Sequence, residues 1–370
     1  MWTLTKNKNW KELTDSFSWV ADMAGVQQDA VHHAEGDVAI HTQMVIDQLT
    51  QLSEYNQLNE QDREILWCAA LLHDVEKRST TIIESDGRIS APGHAKKGMY
   101  TARSILYRDV PTDFQMREQI VKLVRHHGLP IWLFEKPDPH KAVIDASLLV
   151  NLQWLTMLAK ADMLGRICAD QTDMLYRVDC FKELCMELEC YDQPRSFKTD
   201  TARMNYFSKA DSSPDYVPFE EPEYTVVLMS GLPGSGKDTF VKKHYADWPV
   251  ISLDALREQM DVSHGDKTGS GHVIQAAKEK AKEHLRKKQS FVWNATNITR
   301  QMREQLIDLF FTYRARVRIE YIEVPYKVLM QQNKSREAMV PAVAVDRMID
   351  KMEIPTLTEA HEVNFHIRPA

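Results

Sequence analysis

The sequence predicts a multidomain protein in which an all-α domain is followed by an α/β domain with a parallel sheet. Apolar residues recur at helical spacing through the first two hundred residues, whereas strands alternate with helices after Tyr224. A segment rich in Ser, Asp, Glu and Pro separates the two patterns. The length of 370 residues indicates two or three domains, and 43% apolar with 27% charged residues supports a core in each. This composition excludes a disordered, collagen-like or coiled-coil chain.

Three apolar stretches define the helical half of the chain. They cover residues 44–52, 65–72 and 120–124, each with the three- and four-residue spacing of a helix that packs against a core. Strand-like alternation is confined to the residues around Asp86-Gly87, a dipeptide typical of a tight hairpin turn. We therefore expect helices throughout, with one small hairpin.

The most apolar segment, residues 142–159, bears on membrane insertion. Because it contains Asp145, Asn151 and Gln153, it favours a buried helix over a membrane span. The first residues lack the apolar stretch of a secretory signal. Five cysteines, an odd number without a C-x-x-C pair, are typical of a reduced intracellular chain. These features predict a cytoplasmic protein with no membrane partner.

The change of pattern places the domain boundaries. We expect the helical domain over residues 1–195, a linker over 196–222 and the α/β domain over 223–370. Charge is divided unevenly: residues 1–223 hold 24 Lys and Arg against 35 Asp and Glu, while residues 224–370 hold 22 against 18. The total of −7 therefore does not exclude a nucleic-acid partner for the second half.

Strands and helices alternate in that second half. Strands are expected at 224–229, 250–253, 290–293 and 316–323, and a long charged helix at 271–288. Two more helical stretches follow the last strand. This order is typical of a parallel sheet whose strands end at one edge, where α/β proteins bind their ligands.

A glycine-rich loop follows the first of these strands and opens a helix. In this context Gly231-Leu-Pro-Gly-Ser-Gly-Lys237 predicts a phosphate-binding loop, in which backbone N–H groups and the helix dipole hold phosphate oxygens. Lys237 would reach the β and γ phosphates. The usual Ser or Thr after the lysine is replaced by Asp238, with Thr239 next, and we expect Asp238 to contact Mg²⁺ directly or through water. The alternative is a tight turn that binds no nucleotide.

Polar residues end the next two strands. Asp254 would accept a proton from an attacking hydroxyl, and Arg257, one turn later, would hold a phosphate of the acceptor. The alternative for this pair is a capping Asp with a surface Arg. Asn294 ends the third strand, where P-loop enzymes usually carry a metal-orienting Asp. Either the carboxylate has moved to position 238, or Asn294 simply hydrogen-bonds in the crevice.

Arg336 lies where a helix is expected to run into a mobile lid, so it would neutralise charge on a transferring phosphoryl group. An isolated arginine there is more often a solvated side chain. The motifs GLPGSGKDT, SLDALR, NATN and NKSREAMVP, in this order over residues 224–352, resemble the kinase module of the polynucleotide 5′-kinase family.

That resemblance implies a role for each motif. Lys237 and Arg336 would serve the transferred phosphoryl group, Asp254 would be the general base on a 5′-hydroxyl, and Arg257 would grip the adjoining backbone phosphate. Gln332 stands where the family usually has a second lid arginine. The implied cofactor is an NTP, with ATP and GTP as candidates, together with Mg²⁺. The residues implied to bind it are Gly231, Gly234, Ser235, Gly236, Lys237, Asp238, Thr239 and Arg336.

Histidines and carboxylates lie on successive helices of the first half. The set includes an adjacent His-Asp pair and an adjacent His-His pair, and each member is a competent ligand for a first-row divalent metal. A lone histidine on an apolar helix is more often a core residue, but so many together favour metal. Two metals about 3.5–4 Å apart would ionise a shared water and stabilise displacement at phosphorus. The candidate ligands are His41, His73, Asp74, His94, His126, His127 and Asp162.

This pattern, over residues 33–166, resembles the HD-domain phosphohydrolases, and the segment from His32 to His41 is also similar to the HD domain of some tRNA nucleotidyltransferases. The resemblance implies two divalent transition metals. The first would be held by His41, His73, Asp74 and Asp162, and the second by Asp74, His94, His126 and His127. Lys77 and Arg166 would bind substrate phosphate, unless they are surface cations. His32 and His33 either line the mouth of the site or lie on a loop.

The pairing of the two halves resembles the HD-Pnk family of bifunctional enzymes that heal nucleic-acid ends. RNA cut by transesterification carries a 2′,3′-cyclic phosphate and a 5′-hydroxyl, whereas a ligase generally needs a 3′-hydroxyl and a 5′-phosphate. The resemblance implies 5′-phosphorylation of RNA or DNA ends by one domain. The other would remove 2′,3′-cyclic and 2′-phosphate, with 3′-phosphate as a further candidate. A nucleic-acid ligase would take over the product.

Two other functions remain open on the sequence. The first is an HD nucleotidase fused to a kinase of a nucleoside or metabolite. Against it, Arg257 and the basic stretches 278–288 and 314–318 offer contacts to several phosphates. The second is a non-enzymatic protein whose P-loop senses nucleotide and gates RNA binding, an alternative favoured by the missing Asp at position 294.

Overall fold

The computed structural model describes residues 1–263, 265–336 and 338–369. The chain divides into two compact units, Met1–Arg195 and a second that begins at Ser196. Each unit has its own hydrophobic core. The predicted fold class is confirmed, because the first unit is helical and the second is an α/β unit with a parallel sheet.

The first unit is built almost entirely of helices. They are α1 (Trp10–Ser16), α2 (Ser18–Ala21), α3 (Val38–Gln51), α4 (Ser53–Asn56), α5 (Glu60–Leu72), α6 (Lys77–Thr80), α7 (His94–Ser104), α8 (Phe114–His126), α9 (Leu129–Trp132), α10 (Pro139–Ser147), α11 (Leu152–Leu164) and α12 (Gln171–Glu187). A π-helical turn, Ile105–Asp109, extends α7, and a 3-10 turn, Leu133–Glu135, follows α9. Strands β1 (Ile82–Ile83) and β2 (Ile89–Ser90) pair antiparallel, which confirms the predicted hairpin.

Helix α5 lies at the centre of this unit. Every residue from Glu64 to Leu72 is buried, and α3, α8 and α11 pack against the helix. A helix that is apolar on all sides needs neighbours all round, so α5 cannot lie at the surface. Its carboxyl end therefore lies inside the unit, and the next two residues, His73 and Asp74, are buried as well.

The most apolar segment forms two helices rather than the single one expected. α10 ends at Ser147 and α11 begins at Leu152, with an angle of 114° between them. The break occurs at Asn151, whose side chain accepts a hydrogen bond from Trp154 N and caps α11. Among the described residues no single helix has the length and apolar character to cross a membrane, and α10 and α11 meet those criteria only as a bent pair.

The second unit contains a five-stranded sheet with helices around it. Its strands are β3 (Thr225–Ser230), β4 (Val250–Ser252), β5 (Phe291–Asn294), β6 (Arg316–Glu323) and β7 (Glu362–Ile367), in the spatial order β4-β5-β3-β6-β7, all parallel. Its helices are α13 (Asp200–Ser208), α14 (Lys237–His244), α15 (Leu253–Gln259), α16 (Lys267–Arg286), α17 (Arg300–Thr312), α18 (Tyr326–Lys334) and α19 (Ala342–Ile349). Strands β3, β4 and β5 are neighbours, so the segments that leave their carboxyl ends meet at one place.

The segment expected to be a linker, 196–222, contains helix α13. Arg203 ties this helix to the C-terminal segment, because its buried guanidinium donates hydrogen bonds to the carbonyls of Leu357 and His361. The polar composition of residues 196–222 does not predict this helix. The helix is attached by hydrogen bonds from Arg203 to carbonyls more than 150 residues away, and not by an apolar stripe. Residues 200–208 of the expected linker are thus helical.

Strand β7 is absent from the sequence-based prediction, which has only helical stretches after β6. The strand lies at the edge of the sheet, and its residues are half-buried or exposed rather than apolar and buried. An edge strand of this kind lacks the continuous apolar run by which a buried parallel strand is recognised.

Candidate functional site

Five elements of the first unit bring candidate metal ligands to one place. The carboxyl end of α5 supplies an adjacent His-Asp pair, and the other ligands come from the first turn of α3, the start of α7, the end of α8 and the last turns of α11. Among these predicted ligands, two groups of three have ligand atoms that all lie within 4.8 Å of one another, and a third group joins His41 to His33 and Glu35. The first group is His41, His73 and Asp162; the second is Asp74, His94 and His127.

Asp74 connects the two groups. Its Oδ2 lies 3.3 Å from His73 Nε2 and its Oδ1 lies 3.3 Å from His94 Nε2, so one carboxylate faces a group with each oxygen. In the first group His41 Nε2 lies 3.1 Å from Asp162 Oδ1. This is the bridging arrangement that the adjacent His-Asp pair predicts.

The histidine rings are oriented as metal ligands require. Nδ1 of His73, His94 and His127 lies 2.7–2.8 Å from the backbone carbonyl three residues earlier. An Nδ1–H that donates to a carbonyl leaves the neutral ring with an unprotonated Nε2, the atom that binds metal. Nε2 of His94 and Nε2 of His127 lie only 3.2 Å apart. Two such lone pairs cannot hydrogen-bond to each other, and a cation between them removes their repulsion.

Two buried polar atoms of the adjacent His-Asp pair lack a hydrogen-bond partner. They are His73 Nε2 and Asp74 Oδ1, which have no such partner among the residues that the structure describes. A buried polar atom without a partner costs about 1–3 kcal/mol, whereas a coordinated cation would satisfy both atoms. The residues present therefore fit a divalent metal centre.

His126 does not join either group in the described structure. Its ring lines the same cavity as His127, but α8 ends at His126 and adjacent residues point in different directions around a helix. Burial, followed by the charges of Arg125 and Lys122, holds the pKa of His126 well below its usual value. The described structure therefore gives His126 no other ligands with which to share a metal.

Glu35 is a site residue that the sequence analysis misses. Its Oε1 lies 2.8 Å from His33 Nδ1 and 2.9 Å from His41 Nδ1, and its Oε2 accepts a hydrogen bond from Ile167 N. Burial alone would raise the pKa of Glu35, but these hydrogen bonds hold it below the usual value. By engaging Nδ1 of His41, Glu35 turns Nε2 of that ring toward Asp162.

Lys77 is buried and Arg166 is half-buried in the site, and both are paired with its carboxylates. Lys77 Nζ lies 2.8 Å from Asp74 Oδ2 and donates to Gln28 Oε1, while Arg166 donates to both oxygens of Asp162. Each cation therefore balances one carboxylate of the metal groups. Both also line the cavity, where a phosphate group would meet them.

The metal groups open into one cavity of about 540 Å³. His32 and His33 both line it, so they lie at the site rather than on a remote loop. Its lining includes Trp132 and Lys136, two residues that the sequence analysis does not single out. The volume lies in the range of about 300–1,000 Å³ in which proteins bind whole small molecules.

The glycine-rich loop of the second unit has the backbone of a phosphate cradle. Gly231 has φ 145° and Gly236 has φ 100°, and a Cβ on Gly231 would lie 2.5 Å from the carbonyl oxygen of Ile322. No other residue fits at Gly231. Lys237 is buried, and its Nζ donates to the carbonyls of Gly231 and Leu232 at 2.9 Å each. Burial lowers the pKa of Lys237 to about 8.

Asp238 and Asn294 meet in space. Asn294, at the end of β5, donates from Nδ2 to Asp238 Oδ1 at 2.7 Å, so the carboxylate of α14 stands beside the strand end where P-loop enzymes usually carry it. Asn294 Oδ1 and Ser235 Oγ are buried with no hydrogen-bond partner among the described residues. Oxygen atoms are the ligands that Mg²⁺ prefers, so this cluster fits a nucleotide bound with Mg²⁺. Thr239 is exposed in the same first turn of α14.

The remaining predicted residues lie at the same strand ends. Asp254 is in the first turn of α15 with its side chain 73% exposed, and Arg336 Nη2 lies 3.9 Å from its Oδ2. Arg257, one turn later, donates to Ser270 Oγ at 3.0 Å and so faces the start of α16. After burial, the charges of Asp238, Arg336 and Asp254 contribute to the pKa of Lys237.

The basic stretches proposed as phosphate contacts do not lie at this crevice. Helix α16 runs away from it, and Lys288 at its far end pairs with Glu223, which precedes β3. Arg314 and Arg316 stand at the start of β6 and pair with Glu220 and Glu221. These cations lie where strands begin, the opposite edge from the phosphate loop. Lys288, Arg314 and Arg316 are therefore not placed beside the phosphate loop.

Comparison with known proteins supports both halves. Residues 38–147 match the family model of the HD domain, and residues 226–355 match a model of the AAA domain. A protein from Chloroflexus aurantiacus described as a candidate kinase is 18% identical, with a TM-score of 0.35. A sugar kinase from Janibacter sp. is 16% identical, with a TM-score of 0.31. Each similarity covers 40% of this chain and 87% of the other.

The chain thus joins an HD domain to a P-loop domain. The HD domain offers two groups of His and Asp to divalent metals, and the P-loop domain offers a site for an NTP with Mg²⁺. The two domains indicate an enzyme that combines phosphohydrolase and phosphotransfer chemistry.

The metal groups predict that a variant of Asp74 and a variant of His126 differ in metal binding. Asp74→Ala removes the carboxylate that faces both groups, so we expect the affinity for Co²⁺ to fall at least about tenfold at both positions. His126→Ala removes a ring outside both groups and should leave two ions per chain. Equilibrium dialysis with elemental analysis measures both quantities. Loss of one ion in His126→Ala would instead make His126 a ligand.

Asp238 and Asn294 are in contact, so we expect a carboxylate at either position to support Mg²⁺ binding. Asp238→Asn should raise the Mg²⁺ concentration for half-maximal binding of a fluorescent ATP analogue by about tenfold, because a carboxylate ligand is lost. Adding Asn294→Asp to this variant returns a carboxylate to the same place and should recover most of the loss. Asp247→Asn, an exposed change in the same unit, is the control. A double variant as weak as the single one would contradict the prediction.

Proposed function

We propose that the chain is a bifunctional end-healing enzyme. In this proposal the P-loop domain phosphorylates 5′-hydroxyl ends of RNA or DNA with an NTP. The HD domain removes 2′,3′-cyclic and 2′-phosphate from the other end, with 3′-phosphate as a further candidate. The observation that carries the proposal is the presence in one chain of two phosphate-handling sites with opposite chemistry, each with its reactive side chains gathered by the fold.

The hydrolase half follows from the groups around Asp74. Divalent cations held by these residues would supply Lewis-acid stabilisation for displacement at phosphorus. The chain itself contributes Lys77 and Arg166, which present positive charge to the cavity and would bind the phosphate oxygens. Glu35 keeps His41 oriented, so the first group is organised before substrate arrives.

The transferase half follows from the crevice at the ends of β3, β4 and β5. Lys237 now bonds two loop carbonyls and would exchange them for phosphate oxygens, which also accept from the loop N–H groups. Asp254 is exposed, so an acceptor hydroxyl can reach it and give up its proton. Arg336 stands near Asp254, where it would neutralise charge as the phosphoryl group passes to the acceptor.

The polynucleotide substrate rests on the motif resemblance and on Arg257. This arginine lies one helical turn after Asp254, on the same side of α15, where it would contact the phosphate next to the reacting hydroxyl. A free nucleoside has no such phosphate. The ends made by the two reactions, a 3′-hydroxyl and a 5′-phosphate, are those that a nucleic-acid ligase joins, so we include a ligase as the partner that uses the product.

One observation favours a second candidate, an HD nucleotidase fused to a kinase of a nucleoside or metabolite. The basic stretches at 278–288 and 314–318 run to the opposite edge of the sheet or pair with acidic residues, so Arg257 remains as the acceptor-side cation of the prediction. A small acceptor needs few cations. A third candidate, nucleotide sensing without catalysis, loses support because Asp238 supplies the carboxylate missing at Asn294.

One experiment separates these functions. The full chain is incubated with an RNA that has a 5′-hydroxyl and a 2′,3′-cyclic phosphate, with and without NTP and with each divalent metal in turn, and both ends are analysed. Lys237→Ala should lower 5′-phosphorylation at least about a hundredfold, since a phosphate-binding cation is lost. It should leave the other end's reaction intact, and Asp74→Ala should show the reverse.

Lys243→Ala, an exposed lysine on the same helix as Lys237, is the matched control and should leave both reactions intact. Competition between the RNA and a free nucleoside decides the acceptor, because a small-molecule kinase prefers the nucleoside. Absence of single-turnover phosphoryl transfer to any acceptor would support nucleotide sensing. Loss of both reactions in either folded single variant would contradict the two-site proposal.

A further inference from the structure

The cavity of the HD domain extends well past the metal groups. Those groups and the two cations Lys77 and Arg166 account for part of its lining, and a phosphoryl group would fill only a part of the volume of about 540 Å³. The lining also includes Leu129, Trp132 and Lys136. The cavity therefore has room for more of the substrate than its phosphate.

Trp132 is held in place in the cavity lining by its neighbours. The Arg177 guanidinium lies 5.6 Å from the centre of the indole ring and also donates to the carbonyl of Ile131. The ring edge packs beside Gly128, where a Cβ would lie 3.4 Å from Trp132 Cδ1. Gly128 directly follows the metal-group residue His127, so the ring is fixed close to the metal groups.

Trp132 nevertheless keeps a large open surface. The residue is 42% exposed, which is unusual for tryptophan, and its open part lines the cavity. Lys136 is exposed beside it and has no ion pair within the described ranges. An aromatic face next to a free cation is the combination that proteins use to bind single-stranded nucleic acid, by stacking a base and pairing a phosphate.

We propose that Trp132 forms a base-stacking subsite for the nucleotide whose phosphoester lies at the metal groups, and that Lys136 binds the phosphate of the preceding nucleotide. This inference rests on the proposed hydrolase function and names how that site selects its substrate. The phosphoester alone is held by the metal groups, Lys77 and Arg166. The stacked base makes the site select nucleotides over other phosphoesters.

The test compares two monophosphoesters that differ in the base. For adenosine 2′-monophosphate, Trp132→Ala should raise KM by about 5- to 150-fold, the range that corresponds to the loss of one base–aromatic stack. Its kcat should stay near the wild-type value, because the ring contacts no reacting atom. For glycerol 2-phosphate, which has no base, neither constant should change. Trp132→Phe keeps an aromatic face and should restore most of the affinity.

Phe134→Ala is the matched control, because Phe134 is exposed two residues away but does not line the cavity. It should leave KM for both substrates unchanged. Equal effects of Trp132→Ala on both substrates, or no effect on either, would overturn the subsite. Lys136→Ala should raise KM for a dinucleotide that ends in a 2′-phosphate and leave adenosine 2′-monophosphate unaffected; equal KM changes would remove Lys136 from the proposal.

Failure of the proposed function gives a different result. If the wild-type chain hydrolyses neither monophosphoester with any divalent metal, the proposed phosphomonoesterase activity fails, and the subsite is then tested by binding alone. Calorimetric titration with adenosine 2′-monophosphate should show weaker binding to Trp132→Ala than to wild type or Phe134→Ala. Hydrolysis of both substrates with a normal KM in Trp132→Ala would instead sink the subsite and leave the hydrolase function standing.

Discussion

The buried carboxylate of Asp74 is the constraint on which the HD domain depends. It follows a helix that is apolar on all sides, so it enters the core together with His73. Burial alone would raise the pKa of Asp74, but the Lys77 ammonium, 2.8 Å from Oδ2, outweighs burial and holds the pKa well below its usual value. A charge kept ionised in a core must be paired with cations or coordinate a metal. The site is thus the means by which the fold accommodates this residue.

Helix ends give the same site its geometry. His73 and His127 are the C-cap residues of α5 and α8, and each ring bonds through Nδ1 to a carbonyl three residues back, at Ala70 and Val124. Such carbonyls in a last turn have no partner within the helix. One contact therefore satisfies the helix end and also turns Nε2 of each ring into the cavity. Because both helices end at a histidine, the direction of each Nε2 follows from where the helix ends.

Part of this arrangement could be predicted from the sequence and part could not. The His73-Asp74 pair after an apolar run indicates a buried site at a helix end, and the glycine-rich loop after a strand indicates a phosphate cradle. Sequence spacing does not tell which ring of His126-His127 faces the ligands, because that depends on where α8 ends. Glu35 and the pairing of Arg316 with Glu221 depend on contacts far apart in sequence, which composition alone does not reveal.

In the P-loop domain a carboxylate comes from Asp238, in the first turn of α14, and not from the end of β5. Asn294 holds the carboxylate of Asp238 at 2.7 Å, so the strand end now positions the negative charge that it no longer carries. The carboxylate then belongs to the first turn of α14, where the helix dipole favours it and Lys237 lies next to it. The departure from the usual loop and the departure from the usual strand end thus meet in one hydrogen bond. An asparagine at position 294 is in this view no sign of lost phosphotransfer chemistry.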